Sequence, residues 1–143
     1  MMMFPNPPSN SEQPSPAPRL RLLLVDDMPQ VLQDLQRLLE LSGKVEVVGA
    51  AQDGMQAVRL AKEASPDAIL MDLEMPVLDG CEATRQIKAD NPSIRVVILT
   101  VHDSKEAQER ARQAGADGFV IKGAHYEILL QAILSKETTF FGK

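Results

Sequence analysis

Cysteine and aromatic residues are scarce in this 143-residue chain, and their scarcity excludes several kinds of protein. The single cysteine, Cys81, rules out an internal disulfide and any metal site built from several cysteines. Tryptophan is absent, and one tyrosine and four phenylalanines are too few for a base-stacking surface. The net charge of −5 also disfavours contact with a polyphosphate backbone. We therefore expect no direct nucleic-acid binding by this chain.

Long hydrophobic runs are missing as well. Uninterrupted aliphatic runs such as Leu22–Val25 and Val96–Leu99 are four residues long, whereas a membrane-spanning helix needs about 20. The first residues contain neither a basic region nor an apolar stretch of signal-peptide length. We therefore expect no membrane association and a cytoplasmic location.

The composition divides the chain into three parts. Residues 1–18 hold six of the ten prolines, interspersed with serine, and are expected to form a disordered leader. Residues 19–135 have the hydrophobic pattern of one folded domain. Residues 136–143 contain little that could join a core and are expected to be a C-terminal tail.

Within the folded part, short aliphatic segments alternate with segments of helical periodicity. Five such strand–helix units predict an α/β protein with a parallel sheet covered on both faces. The doubly wound strand order 2-1-3-4-5 is the leading candidate for an open sheet of five strands. The helix over 104–114 has only alanines on its apolar stripe, so shallow packing is expected. The predicted strands are 20–25, 45–48, 68–71, 96–99 and 118–121.

Polar residues follow the aliphatic segments at four of the predicted strand ends. Asp26 and Asp27 follow the first strand, Asp72 the third, Thr100 the fourth and Lys122 the fifth. Because the carboxyl ends of parallel strands share one edge of the sheet, these side chains are expected to converge at the topological switch point.

Such a cluster predicts phosphoryl chemistry. Three neighbouring carboxylates repel one another unless a cation joins them, and Mg²⁺ prefers oxygen ligands. The ammonium of Lys122 and the hydroxyl of Thr100 suit the oxygens of a phosphoryl group. No Ser, Cys or His stands at these strand ends, so the nucleophile must be a carboxylate, and Asp72 is the central candidate.

These residues, together with the motif Asp72-Leu-Glu-Met-Pro-Val-Leu-Asp-Gly80, resemble the receiver domain of two-component response regulators. The resemblance covers about residues 19–135. It implies a flavodoxin-like three-layer α/β/α fold. The stretches 100–103 and 114–119 are similar to the subfamily whose receivers precede a LuxR-type helix-turn-helix domain, the NarL-like regulators.

The resemblance also implies roles at the predicted site. Asp72 would accept a phosphoryl group from a histidine kinase or phosphotransfer protein. Asp27 and Asp72 would bind Mg²⁺ directly, the backbone carbonyl of Glu74 would be a third ligand, and Asp26 would act through a bound water. The chain would be a phosphoacceptor signalling module with slow autodephosphorylation, not an enzyme in the ordinary sense.

Further implied roles concern the response to phosphorylation. Lys122 and Thr100 would bind phosphoryl oxygens, and Thr100 and Phe119 would form a conformational switch. The helix over 104–114, the fifth strand and the last helix would form the output surface, and a second copy of the chain is a candidate partner after phosphorylation. Gly123 stands where the family often has a proline after the lysine, so we expect a trans peptide bond there.

Two other interpretations fit part of the sequence pattern. A haloacid-dehalogenase-like phosphatase also uses an aspartate at a strand end, but it needs a second aspartate where this chain has Glu74. The other is the excised receiver part of a LuxR-type DNA-binding transcription regulator. The residues after Ile133 are too few for a helix-turn-helix module, and a stand-alone receiver and an excised one remain equally open.

Overall fold

The structure is a computed structural model that describes residues 18–140. Strands and helices alternate along this range, as the hydrophobic pattern predicts. The strands are β1 (Leu20–Val25), β2 (Val45–Ala51), β3 (Ala68–Met71), β4 (Arg95–Thr100), β5 (Gly118–Ile121) and β6 (Thr139–Phe140). The helices are α1 (Pro29–Glu40), α2 (Gly54–Ala64), α3 (Gly80–Asp90), α4 (Lys105–Ala114) and α5 (Tyr126–Leu134).

The strands form one parallel sheet in the order β2-β1-β3-β4-β5-β6. The predicted order of the first five strands is confirmed. The sheet has six strands where five were expected, because residues from the predicted C-terminal tail pair with β5. The predicted leader lies outside the described residues except for Pro18, and so do the last three residues of the tail.

Helices cover both faces of the sheet, which explains why the central strands are apolar throughout. Alternate residues of each strand point to opposite faces. Leu23, Ile69 and Ile98 pack toward α2, α3 and α4, whereas Leu22, Leu24 and Leu70 pack toward α1 and α5. Each fully buried aliphatic side chain contributes about 1.5–3 kcal/mol. The central strands therefore provide a rigid base for the loops at their carboxyl ends.

Local capping signals start three of the helices. The side chains of Asp53, Asp79 and Ser104 accept hydrogen bonds from the backbone N–H groups of the first turns of α2, α3 and α4. The buried residues of α4 are Ala107, Ala111 and Ala114, as the sequence predicts. Since alanine fills little space, α4 lies on the sheet through a shallow contact.

Within residues 18–140, no helix has both the length and the apolar character that a bilayer crossing requires.

Candidate phosphorylation site

The strand register brings the three aspartates together. Val25 at the end of β1 pairs with Met71 at the end of β3, so the residues that follow them are neighbours. The backbone N–H of Asp72 donates to the carbonyl of Val25 at 2.9 Å, which holds the two chain segments side by side. Carboxylate oxygens of Asp26, Asp27 and Asp72 all lie within 4.8 Å of one another.

Two of these carboxylates are buried and held by hydrogen bonds. Asp26 is 2% exposed and Asp72 is 8% exposed, whereas Asp27 is open to solvent. Asp26 accepts the backbone N–H of Met28 at 3.0 Å, and Asp72 accepts that of Leu73 at 2.8 Å. The second oxygen of Asp72 is therefore available for another partner.

Lys122 supplies the positive charge of the site. Its Nζ donates to Asp26 Oδ2 at 2.8 Å and lies 3.7 Å from Asp72 Oδ2. The loop that carries it is tied to β4, because the backbone N–H of Lys122 donates to the Thr100 carbonyl at 2.7 Å. In this arrangement the lysine is bound mainly to Asp26, not to the predicted phosphoacceptor.

The electrostatics of the cluster shift two pKa values. Burial raises the pKa of Asp72, and the charges of Asp26 and Asp27 raise it further, against the lowering effects of Lys122 and the Leu73 hydrogen bond. Burial acts to lower the pKa of Lys122, but its hydrogen bond to Asp26 and the other carboxylates outweigh burial and raise it. The site therefore contains more negative charge than its one lysine neutralises.

The β3–α3 loop brings the site close to the start of α3. A Cβ atom at position 80 would collide with the backbone carbonyl of Asp72, so only glycine permits this approach. The loop turns sharply at Val77, where φ is 71° and the N–H of Leu78 donates to the Pro76 carbonyl at 2.7 Å. A β-branched residue in this left-handed conformation is strained, and no pattern in the sequence indicates this strain.

Thr100 and Phe119 lie on the adjacent strands β4 and β5, and Thr100 ends the strand next to β3. Thr100 is buried at the end of β4, and its Oγ1 accepts the backbone N–H of His102 at 3.2 Å. Phe119 is 2% exposed and packs among the residues facing α3 and α4. The two predicted switch residues are therefore on neighbouring strands, β4 and β5, of the sheet that α4 covers.

A contact between a histidine and a glutamate at the edge of the site was not predicted from the sequence. His102 Nε2 lies 3.0 Å from Glu74 Oε1, and both side chains are largely exposed. The two residues stand two positions after Asp72 and Thr100, a shared spacing that was the only available signal. The pair links the loops that follow β3 and β4.

The acidic cluster fits a hard divalent cation. It offers carboxylate oxygens at mutual distances that one ion can bridge, with one exposed member, Asp27, on the solvent side. Ligands of this type suit Mg²⁺.

The backbone after Lys122 has ordinary geometry. Among residues 18–140 there is no cis peptide bond, so the bond between Lys122 and Gly123 is trans, as expected. Gly123 turns the loop with φ of 98°.

Comparison with known proteins places this geometry in a family. The response regulator receiver domain model matches residues 22–134. The response regulator GacA of Pseudomonas aeruginosa is 40% identical over 114 residues, which are 80% of this chain and 53% of GacA. The chain spans about half the length of the curated relatives it matches.

Solved structures agree with the sequence relatives. The signal receiver domain of NarL from Mycobacterium tuberculosis aligns with a TM-score of 0.76 and 34% identity, over 80% of this chain and 92% of that one. A LuxR-family two-component response regulator from an Aurantimonas species aligns with a TM-score of 0.76 and 38% identity. The alignment covers 80% of this chain and 81% of that one. The chain therefore belongs to the receiver domain family of two-component response regulators.

Proposed function

We propose that Asp72 is the phosphoacceptor of this receiver domain and that Asp26, Asp27, Thr100 and Lys122 assist it. The observation that carries the proposal is the buried Asp72 carboxylate, with one oxygen held by the Leu73 N–H and the other 3.7 Å from Lys122 Nζ. A carboxylate fixed in this way is oriented for attack, and the ammonium lies where charge develops on a phosphoryl oxygen.

The reaction is a phosphoryl transfer to the carboxylate. A lone pair on Asp72 Oδ2 forms the new O–P bond, and the P–N bond of a phosphohistidine donor breaks with its electron pair going to the imidazole. The product is an acyl phosphate on Asp72. The donor would be a histidine kinase or a phosphotransfer protein. A small acyl phosphate can also donate a phosphoryl group, with its P–O bond breaking and the electron pair going to the leaving carboxylate.

Mg²⁺ would be held by the carboxylates of Asp27 and Asp72 and the backbone carbonyl of Glu74, with Asp26 acting through water. When bound, the ion supplies positive charge that offsets the repulsion among the carboxylates and the phosphoryl oxygens. Lys122 would exchange its 2.8 Å contact with Asp26 for a contact with a phosphoryl oxygen.

The signal would leave the site through Thr100 and Phe119. The Thr100 hydroxyl oxygen accepts the backbone N–H of His102, so its own proton can be donated to a phosphoryl oxygen. Movement of Thr100 toward the phosphate leaves room beside Phe119 on the neighbouring strand. The shallow contact of α4 lets that helix shift with little loss of packing, and α4, β5 and α5 form the output surface.

A related response regulator indicates what phosphorylation changes in such proteins. RcsB from Salmonella enterica, which is 25% identical to this chain, has been solved bound to the promoter rprA in the presence of the phosphomimetic BeF3−. We propose that this receiver likewise changes its interactions in response to phosphorylation, with a partner protein or a second copy of itself in the cytoplasm. The described part, with its acidic charge, is not the DNA-contacting element.

Incubation with acetyl phosphate and Mg²⁺, followed by intact mass measurement, tests the proposal. One phosphoryl group per chain is expected in the presence of Mg²⁺ and none in EDTA. Asp72→Asn should abolish the product, while Asp90→Asn, which removes an exposed carboxylate from the far end of α3, should leave it unchanged. Equal phosphorylation of Asp72→Asn and the wild type would refute the assignment.

The metal assignment has its own test. An ion at ten times its dissociation constant should stabilise the fold by about 1.4 kcal/mol. Asp27→Ala should remove the Mg²⁺-dependent rise in melting temperature. If that variant keeps the full rise, the ion is bound elsewhere.

A further inference from the structure

The segment after α5 returns to the sheet as the parallel strand β6. Thr139 pairs with Gly118 and Phe140 with Phe119, and the backbone N–H of Thr139 donates to the Asp117 carbonyl at 2.9 Å. The strand therefore covers the edge of β5, which would otherwise be a free edge of the sheet.

Side chains fasten this strand at both residues. Thr139 Oγ1 accepts a hydrogen bond from Arg95 Nη2 at 3.1 Å. The Phe140 ring stacks on Phe119 with centroids 5.8 Å apart and an interplanar angle of 28°. On α4, the guanidinium carbon of Arg112 lies 4.3 Å from the centre of the Phe140 ring. The strand is thus connected to β4, β5 and α4 together.

Glycine at position 118 makes room for the strand. A Cβ atom there would lie 2.6 Å from Thr139 Oγ1, and 3.2 Å from the nearest methyl of Val97. The first distance is too short for any real contact, so a side chain at 118 would push β6 away.

We propose that β6 is a regulatory strand whose docking on β5 is coupled to phosphorylation through the position of Phe119. The inference rests on the proposed function, since it uses Phe119 as the switch. Phe140 stacks on Phe119 in the inward position that this ring has here, where it is 2% exposed. Phosphorylation favours the same buried position, because Thr100 leaves space on that side. Docking of β6 and phosphorylation therefore favour each other.

Thermodynamic linkage turns this into a quantitative statement. If docking of β6 tightens binding of a phosphoryl group by some factor, the phosphoryl group must tighten docking by the same factor. Typical couplings between sites correspond to about 5–150-fold. A partner that needs the β5 edge must displace β6, so tighter docking on phosphorylation closes that edge against partners of the unphosphorylated state.

The experiment uses the full chain with Mg²⁺ and beryllofluoride as the phosphoryl probe. Amide exchange at Thr139 measures docking, and fluorine NMR titration measures beryllofluoride affinity. We expect the probe to slow exchange at Thr139 at least about fivefold. Phe140→Ala should weaken beryllofluoride binding by a similar factor, whereas Thr138→Ala, at an exposed neighbouring position, should leave it unchanged.

A rescue variant separates the strand's effect from damage to the core. Gly118→Ala should weaken beryllofluoride binding as Phe140→Ala does. Adding Thr139→Ala removes the atom that the new Cβ meets, so affinity should recover in part. Adding Thr139→Val instead retains bulk at that place and should give no recovery.

The outcomes distinguish this inference from the proposed function. If wild-type protein binds beryllofluoride with Mg²⁺ but neither Thr139 exchange nor Phe140→Ala has an effect, the regulatory strand is refuted and the phosphorylation site stands. Faster exchange at Thr139 on binding would likewise overturn the proposal, since it reverses the coupling. Absence of binding by the wild type would overturn the proposed function and this inference together.

Discussion

Replacement of Asp72 by asparagine is expected to stabilise the metal-free protein. Asparagine keeps an oxygen to accept the Leu73 N–H, so the 2.8 Å hydrogen bond can persist. What disappears is a buried negative charge among two other carboxylates. The variant therefore tests whether the site stores repulsion that a cation would relieve.

The distances in the site give the size of the net repulsion on the Asp72 carboxylate. With an effective dielectric constant of about 20, Lys122 at 3.7 Å attracts the Asp72 carboxylate by about 4.5 kcal/mol. Asp26 and Asp27, with oxygens within 4.8 Å, each repel it by at least about 3.5 kcal/mol. Repulsion exceeds attraction by about 2.5 kcal/mol, and screening of the exposed Asp27 reduces the excess to about 1–2 kcal/mol.

The pH dependence has a definite sign. Because burial and the neighbouring carboxylates raise the pKa of Asp72 above 3.8, the folded state holds that proton more tightly than the unfolded state. The wild type has this stabilisation in full below the unfolded pKa and loses it as pH rises through the folded pKa. The advantage of Asp72→Asn should therefore vanish in acid and reach its full value at neutral pH.

Urea denaturation in EDTA across this pH range is the assay. Glu46→Gln removes an exposed carboxylate at the opposite edge of the sheet and should change the free energy of unfolding by less than about 0.5 kcal/mol. If Asp72→Asn is no more stable than the wild type at neutral pH, the carboxylates do not repel as described.

Three further substitutions or modifications test the surroundings of the site. Gly80→Ala should lower the free energy of unfolding by roughly 1–3 kcal/mol in urea denaturation, because its Cβ meets the Asp72 carbonyl; an unchanged midpoint would contradict the close approach. Val77→Gly should raise the free energy of unfolding by about 0.5–1 kcal/mol, because relief of the left-handed strain at Val77 exceeds the added entropy of the unfolded chain. A loss of stability would show that no strain is present. Burial raises the pKa of the Cys81 thiol, so native protein should react with a thiol reagent at neutral pH far more slowly than urea-unfolded protein, and equal rates would contradict the burial.

Much of the fold follows from the sequence because its signals are local. Aliphatic runs such as Leu22–Val25 are buried on both faces only in a covered parallel sheet, and the polar residues that end them identify its functional edge. Helix starts at Asp53 and Ser104 are capping signals that depend on neighbouring residues alone. The convergence of Asp26, Asp27 and Asp72 then follows from strand order.

The remaining features depend on contacts between distant parts of the chain. β6 has two residues and no aliphatic run, and it exists because Phe140 meets Phe119 and Arg112. Lys122 pairs with Asp26 in preference to Asp72 because its Nζ lies 2.8 Å from Asp26 Oδ2 and 3.7 Å from Asp72 Oδ2. No periodicity or motif in the sequence carries such information.

The central claim is that Asp72, and neither of its acidic neighbours, becomes an acyl phosphate. Borohydride reduces an acyl phosphate to the alcohol, so treatment of the phosphorylated protein converts the modified aspartate to homoserine. Peptide mass spectrometry should then find homoserine at position 72 in the Mg²⁺ sample and at no position in EDTA. Homoserine at position 26 or 27, with aspartate intact at 72, would contradict the account.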